Sequence, residues 1–132
     1  MRRVLLMAAM GCLAILTAKA QDPVKVDPNN WKVEFENAQV RVLRAHIPAH
    51  GKLGMHEHPA NVLIPLKDGH GKDIFPDGKT AEVHVKAVQA TWREAVKHAN
   101  ENLGDTPIES ILVELKAQPA AARPAAAKKK KG

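Results

Sequence analysis

The stretch GMHEHPANVLIPL, residues 54–66, places two histidines directly before an apolar segment. His56 and His58 are separated by a single residue, and alternate side chains of a β-strand point to the same side. If this stretch is extended, the two imidazoles converge, and imidazole nitrogens are common ligands of transition metals. The apolar residues 62–66 predict a central strand, because both alternating faces are apolar. The stretch therefore predicts either a metal site or two surface histidines beside a core strand.

Short alternating segments on both sides of this stretch predict an all-β domain. Apolar and charged residues alternate at 31–36, 40–47, 81–87 and 108–116, which is typical of half-buried strands. The sequence Pro-Asp-Gly at 76–78 is a strong turn signal. Glycines predict a loop at 50–54 and a turn at 67–71, while 91–100 fits a strand or a helical turn. About seven or eight short strands predict an antiparallel β-sandwich or small barrel.

Residues 1–20 have the pattern of a secretory signal peptide. Arg2 and Arg3 precede an apolar run at 4–16, and a small-residue cleavage pattern ends at Ala20. The apolar run is too short to span a bilayer. We therefore expect a periplasmic or secreted protein that is cleaved near Ala20 and has no transmembrane segment when mature.

Composition limits the chemistry of the mature chain. The only cysteine, Cys12, lies in the predicted signal peptide, so any metal in the mature protein must be held by nitrogen and oxygen ligands. The whole chain has two Trp, two Phe and no Tyr. This predicts one small domain at 21–118 with an aliphatic core.

Charge is concentrated at the two ends of the chain. The formal net charge is +6 at pH 7, but residues 21–118 contain 12 basic and 14 acidic residues. The nearly neutral domain gives no reason to expect nucleic-acid binding. Residues 119–132 are rich in Ala and Pro and include four lysines, which predicts a disordered basic tail. This tail either solubilises the protein or contacts anionic surfaces.

Seven histidines are many for a chain of 132 residues. His70 falls in a predicted turn, and His46 and His84 lie in predicted strands whose inward face the pattern does not fix. His50 lies in a predicted loop close to His56, so it is either a further ligand or an unrelated neighbour.

Two motifs resemble those of the cupin superfamily. The resemblance is carried by Gly51, by His56-x-His58-Pro59 and, further along, by His98-x-x-x-Asn102. It covers residues 31–116 and implies a β-sandwich or barrel of jelly-roll type. It also implies a divalent transition metal (Fe, Mn, Ni, Cu or Zn) held by His56, His58 and His98. A homodimer is a further implication, because many small cupins pair.

The resemblance is incomplete in two places. The cupin glutamate ligand would fall at Val62 or Leu63, and neither side chain can bind a metal. Residues 90–94 stand where the second cupin motif has Pro-x-Gly, and they contain neither residue. Three histidines alone would still form a site with open positions, as catalytic metals have.

Other side chains near the predicted site have supporting roles. Asn61 is a candidate oxygen donor, and His50 a candidate extra ligand. Glu57 should point away from the face of the two paired histidines, which makes it a better partner of a ligand than a ligand itself. For Asn102 we expect a structural role, with its side chain holding a turn by hydrogen bonds.

Two functions from different classes fit this sequence. The first is an exported small cupin that binds a divalent metal and a small organic ligand in the barrel mouth; the resemblance implies oxygenase or isomerase chemistry for such a site. The alternative is a non-catalytic periplasmic binding or accessory module with a degenerate metal site. Val62 and Leu63, in place of the glutamate, favour the alternative.

Overall fold

The computed structural model describes residues 21–117. The predicted signal peptide at 1–20 and the predicted tail at 119–132 lie outside the described residues, so both stay predictions. Within 21–117, no helix combines the length and the apolar character that crossing a membrane requires.

One helical turn and nine β-strands form the described part of the chain. In chain order they are α1 (Pro23–Val26), β1 (Trp31–Glu36), β2 (Val40–Ile47), β3 (Lys52–His58), β4 (Asn61–Pro65), β5 (Gly69–Ile74), β6 (Thr80–Val85), β7 (Thr91–Arg93), β8 (Val96–Asn102) and β9 (Ile108–Leu115). The all-β prediction is confirmed, with somewhat more strands than the turn signals indicated.

The strands form two antiparallel sheets, ordered β1-β2-β9-β4-β7 and β3-β8-β5-β6. The last strand, β9, pairs along its whole length with β2, from Val40 opposite Leu115 to Ile47 opposite Ile108. β8 lies between β3 and β5 in the second sheet. The two sheets confirm the predicted jelly-roll sandwich, and their order places the predicted site strands β3 and β8 side by side.

An apolar core lies between the two sheets. Its buried members are Trp31, Leu43, Ala45, Ile47, Leu53, Leu63 and Leu112. Leu43 is fully buried, and Trp31 is the one aromatic member of the cluster. The core is therefore aliphatic, as the composition predicted.

The predicted Pro-Asp-Gly turn joins β5 to β6. The amide of Gly78 donates to the Phe75 carbonyl at 2.9 Å, and the Phe75 amide donates to the Lys79 carbonyl at 2.9 Å. Gly78 has φ +81°, a conformation that costs glycine little and other residues more. This turn prediction is confirmed.

Two glycine-based predictions are wrong in part, because only residues 50–51 and 67–68 of the predicted loop and turn lie outside strands. Strand β3 already begins at Lys52, inside the predicted loop, and His70 lies in β5, inside the predicted turn. At Gly69 a Cβ would lie 3.1 Å from Ile108 Cγ1 and 3.2 Å from Val85 Cγ2. Glycine is needed here for close packing within a strand, and the sequence pattern alone does not distinguish this use from a turn.

The ambiguous segment 91–100 resolves into β7 and the first part of β8. Trp92 is 52% exposed. Its indole Nε1–H donates to Glu94 Oε1 at 2.7 Å. Trp92 lies on β7, an edge strand, where one face is open to solvent and a large side chain need not be buried.

Candidate metal centre

Strands β3 and β8 bring three buried histidines together. His56 lies directly opposite His98 in the β3–β8 ladder, and His58 follows on the same face of β3. The ring centroid of His56 lies 4.8 Å from that of His58 and 4.9 Å from that of His98, and the third pair is 5.7 Å apart. One ring nitrogen of each histidine lies within 4.8 Å of the others. That they bind a metal stays a prediction.

Hydrogen bonds fix the orientation of two of these rings. His56 Nδ1–H donates to the Gly54 carbonyl oxygen at 2.7 Å, and His58 Nδ1–H donates to Glu114 Oε1 at 2.6 Å. Both acceptors require the proton on Nδ1, so each neutral ring carries a lone pair on Nε2. Both Nε2 atoms are buried and have no hydrogen-bond partner among residues 21–117.

The third ring, His98, lies against a second carboxylate. Its Nδ1 is 3.3 Å from Asp73 Oδ1, outside hydrogen-bond geometry. Asp73 also accepts from Asn100 Nδ2 at 2.7 Å and from Arg93 Nη2 at 3.0 Å. Burial alone would raise the pKa of Asp73, but contacts with His98, Arg93 and Asn100 outweigh it and hold that pKa below its usual value. An ionised carboxylate therefore lies beside His98.

Burial keeps the imidazole of His56 neutral. Removal from water is the main reason that the pKa of His56 is lowered to about 4. The hydrogen bond that His56 donates to the Gly54 carbonyl acts in the opposite direction, and the neighbouring His58 and His98 add to the lowering. At neutral pH this imidazole is therefore unprotonated, which is the form that binds a metal.

Glu114 and Asp73 are the site residues that the sequence analysis missed. Both are buried, and both lie within 3.3 Å of a histidine in the cluster. One sequence signal could have found Glu114. It is in phase with Ser110 and Leu112 on the inward face of β9, and an acidic residue on a buried face needs a partner.

Of the predicted supporting residues, Asn61 is the one that shares a cavity with members of the cluster. It is fully buried and lines the same cavity as His58 and His98. Its Nδ2 donates to the Pro59 carbonyl at 2.9 Å, while its Oδ1 has no partner among the described residues. The Oδ1 atom of Asn61 is therefore an available acceptor in a residue that lines this cavity.

The structure does not bring Glu57 or His50 into the cluster. Glu57 points away from the histidine face, as expected, and its Oε1 pairs with Lys97 Nζ at 3.0 Å. The His50 side chain is 66% exposed, and its Nε2 lies 2.9 Å from Asp105 Oδ1. His50 adopts φ +57° in the loop between β2 and β3, which directs it away from the sheet interior.

Apolar side chains occupy the positions expected for the cupin glutamate. Leu63 is buried in the core and lines the cavity beside the histidines. Val62 is half-buried. The carboxylates that do lie beside the cluster belong to Glu114 and Asp73. Glu114 is close to Nδ1 of His58, and Asp73 is close to Nδ1 of His98.

Asn102 connects two loops beneath the site. Its Nδ2 donates to the carbonyls of Ile47, Pro48 and Thr106 at 3.1, 2.9 and 2.8 Å, and its Oδ1 accepts from the Gly104 amide at 2.9 Å. It is almost fully buried. The geometry is that of a turn-holding amide, the role expected from the sequence.

A cavity of about 80 Å³ opens beside His58 and His98. Its polar lining residues include Asn61 and Arg93, and its apolar lining consists mainly of valines, leucines and isoleucines such as Val85. Since a water needs only about 10–15 Å³ of such space, the cavity has room for a few waters or a small organic molecule.

The three histidines fit a divalent transition metal. Two Nε2 atoms are buried without a partner among residues 21–117, and carboxylate and carbonyl acceptors fix their rings through Nδ1, as around many metal-bound histidines. A buried nitrogen without a partner is otherwise costly. The all-imidazole set favours Fe, Ni, Cu or Zn over Mg or Ca, which prefer oxygen.

Comparisons with known proteins agree with this fold. No protein-family model and no curated protein sequence matches the chain. A cupin domain from Bordetella pertussis Tohama I superposes with a TM-score of 0.61 and 27% identity, over 66% of this chain and 92% of the other.

Two more distant structures show the same fold. An RmlC-like cupin with a double-stranded β-helix fold from Methanocaldococcus jannaschii has a TM-score of 0.51 and 14% identity, over 64% of this chain and 77% of its own. A cupin superfamily protein from Desulfitobacterium hafniense has a TM-score of 0.50 and 12% identity, over 66% and 76%. The two-sheet jelly roll and these neighbours show that the chain has the cupin fold, and they support its place in the cupin superfamily.

Proposed function

We propose that this protein binds a divalent transition metal through His56, His58 and His98, together with a small organic ligand in the adjoining cavity. The observation that carries the proposal is the pair of buried, partnerless Nε2 atoms on His56 and His58. Their Nδ1 atoms are already engaged, so Nε2 is the nitrogen of each ring that remains available to a metal.

The surrounding residues have separate tasks in this proposal. Glu114 and Gly54 hold two rings in one tautomer, and Asp73 offsets positive charge beside His98. The apolar wall excludes water, while Asn61 and Arg93 offer one acceptor and one cation to a polar ligand group. A metal bound here would supply Lewis-acid or oxygen-activating chemistry.

The decisive experiment measures metal content by mass spectrometry on protein purified without a histidine tag. The wild type is compared with the His56→Ala/His98→Ala double variant. The matched control is His46→Ala/His50→Ala, which removes two exposed histidines outside the cluster. We expect the first variant to contain one metal ion per chain fewer than the wild type, and the control to contain as much metal as the wild type. Metal-free wild type after incubation with Fe, Mn, Ni, Cu and Zn would overturn the proposal.

A second candidate is the non-catalytic binding module. It is favoured by Leu63, which is apolar where a cupin carboxylate ligand would lie and so leaves the site one negative charge short. The same experiment separates the two candidates. Metal-free protein that still binds small molecules in the cavity, detected by ligand-observed NMR with a fragment library, would support the module.

We also propose export and self-association. The sequence pattern at 1–20 supports export, and fractionation of cells that express the full chain tests it: cytoplasmic protein of uncleaved mass would contradict it. Dimerisation rests on the cupin resemblance and on the edge strand β1, where Val33 and Phe35 are about half exposed. Sedimentation at micromolar concentration would show a monomer if this is wrong.

A further inference from the structure

A second histidine cluster lies on the hairpin formed by β5 and β6. His70 and His84 are directly opposite in the ladder, and their rings stack with centroids 4.1 Å apart at 9°. His70 Nε2 lies 3.1 Å from Glu82 Oε2. One ligand atom from each of these three residues, which we name the outer cluster, lies within 4.8 Å of the others.

The outer cluster is separate from the buried centre. Gly71, Asp73 and Val83 line the internal cavity, and strand alternation directs the intervening residues outward. The side chains of His70 and Glu82 are 37% and 65% exposed. An ion in solvent can therefore reach the outer cluster without opening the sandwich.

We propose that His70, Glu82 and His84 form a second, solvent-exposed site for a divalent transition metal. Two imidazoles and one carboxylate suit Cu²⁺, Ni²⁺ or Zn²⁺, whereas Ca²⁺ and Mg²⁺ require more oxygen ligands. Three protein ligands leave further positions to water. This site does not depend on the function proposed for the buried centre.

Local charge permits a cation at this position. Glu82 supplies one negative charge. The nearest basic residue on the hairpin, Lys72, lies opposite Glu82, but its Nζ is 2.7 Å from Glu101 Oε2 on β8. The positive charge of Lys72 is thus balanced by a neighbouring strand, so it opposes a bound ion only weakly.

Binding of an ion requires the exposed side chains to turn, because the in-plane lone pairs of two stacked, nearly parallel rings do not converge. Metal–nitrogen bonds of about 2.0–2.1 Å place tetrahedral ligand atoms about 3.3 Å apart, and the three ligand atoms already lie within 4.8 Å. Exposed side chains make such shifts by changing rotamer. Because β6 is an edge strand, a metal shared by β5 and β6 would attach that edge more firmly to its sheet.

The test titrates Ni²⁺ into the full chain, free of any tag, by isothermal calorimetry. The variant His70→Ala/His84→Ala removes the outer cluster, and His56→Ala/His98→Ala removes the buried one. Exposed His46, on β2 in the other sheet, provides the control His46→Ala. Amide hydrogen exchange of β6, measured with and without Ni²⁺, reports where the ion binds.

We expect the His70→Ala/His84→Ala variant to bind one Ni²⁺ fewer than the wild type. Glu82→Gln should lower the affinity for that Ni²⁺ by about tenfold or more, since even the loss of a residue that only hydrogen-bonds to a metal ligand costs about that much. The His56→Ala/His98→Ala variant should retain it, and Ni²⁺ should slow exchange in β6 of the wild type. Equal stoichiometry in the wild type and the His70→Ala/His84→Ala variant would overturn the proposal, as would unchanged exchange in β6. If the buried histidines bind no metal, the comparison of the wild type with the His70→Ala/His84→Ala variant still tests the outer cluster.

Discussion

At the scale of single residues, Glu114 offers the sharpest test of the buried centre. Its Oε1 accepts from His58 Nδ1 at 2.6 Å, and both side chains are buried. In Glu114→Gln the amide oxygen can still accept this hydrogen bond. The variant loses the negative charge, which makes the imidazole a stronger electron-pair donor to a metal. We expect affinity for the bound metal to fall by about 10–100-fold, measured by competition with a chromogenic chelator.

The matched control for that change is Glu109→Gln on the same strand. Glu109 is more exposed and pairs with Lys67, and the histidine beside it, His46, lies outside the cluster. Its substitution should leave metal affinity unchanged. Equal affinities in the two variants and the wild type would show that Glu114 does not tune the site.

Prediction from sequence succeeds and fails at this scale for one reason. His56 and His58 are local to one strand, so their spacing predicts convergence. The partners Glu114 and Asp73 come from β9 and β5, far along the chain, and their proximity depends on sheet order. The carboxylate was sought three or four residues after the histidine pair, where Leu63 instead fills the core.

At the scale of elements, Asn102 holds the ends of β2 and β8 to the loop before β9. Its side-chain amide contacts three carbonyls and one amide. We expect Asn102→Ala to lower the free energy of unfolding by about 2–4 kcal/mol, because several buried polar groups lose their partner. Urea denaturation followed by circular dichroism measures this loss.

An exposed asparagine provides the control for that experiment. Asn29→Ala, in the turn before β1, should change stability by less than about 0.5 kcal/mol. A loss at Asn102 no larger than that at Asn29 would contradict a structural role for the Asn102 amide.

Strands were predicted correctly where apolar and charged residues alternate. They were missed where a glycine allows close packing inside a strand and was taken as a turn signal. The alternation at 31–36 and 40–47 matches β1 and β2 in both position and length. At 67–71 the glycines indicated a turn, yet Gly69 lies within β5, where a Cβ would be in tight contact with Ile108 and Val85. Such a constraint comes from residues distant in sequence, so a local pattern cannot contain it.

At the scale of the whole molecule, the all-β class followed from strand periodicity, while the sheet order required the structure. Placing β9 between β2 and β4, and β8 between β3 and β5, is a choice among many non-local pairings. The cupin resemblance implies a jelly roll, which restricts the strand pairings to those of that fold. The resulting sandwich joins both sheets through its site: His58 on β3 of one sheet contacts Glu114 on β9 of the other.

Because the buried centre joins the two sheets, metal binding should stabilise the entire fold. A ligand that binds only the folded state adds about 2.7 kcal/mol at a concentration of 100 times its dissociation constant. With a slope of about 1–3 kcal/mol per molar urea, the unfolding midpoint should rise by about 1–3 M. The measurement uses the His70→Ala/His84→Ala background, so that only the buried site contributes. Excess chelator should reverse the shift, and a midpoint that rises equally after His56→Ala/His98→Ala substitution would show that the stabilising ion binds elsewhere.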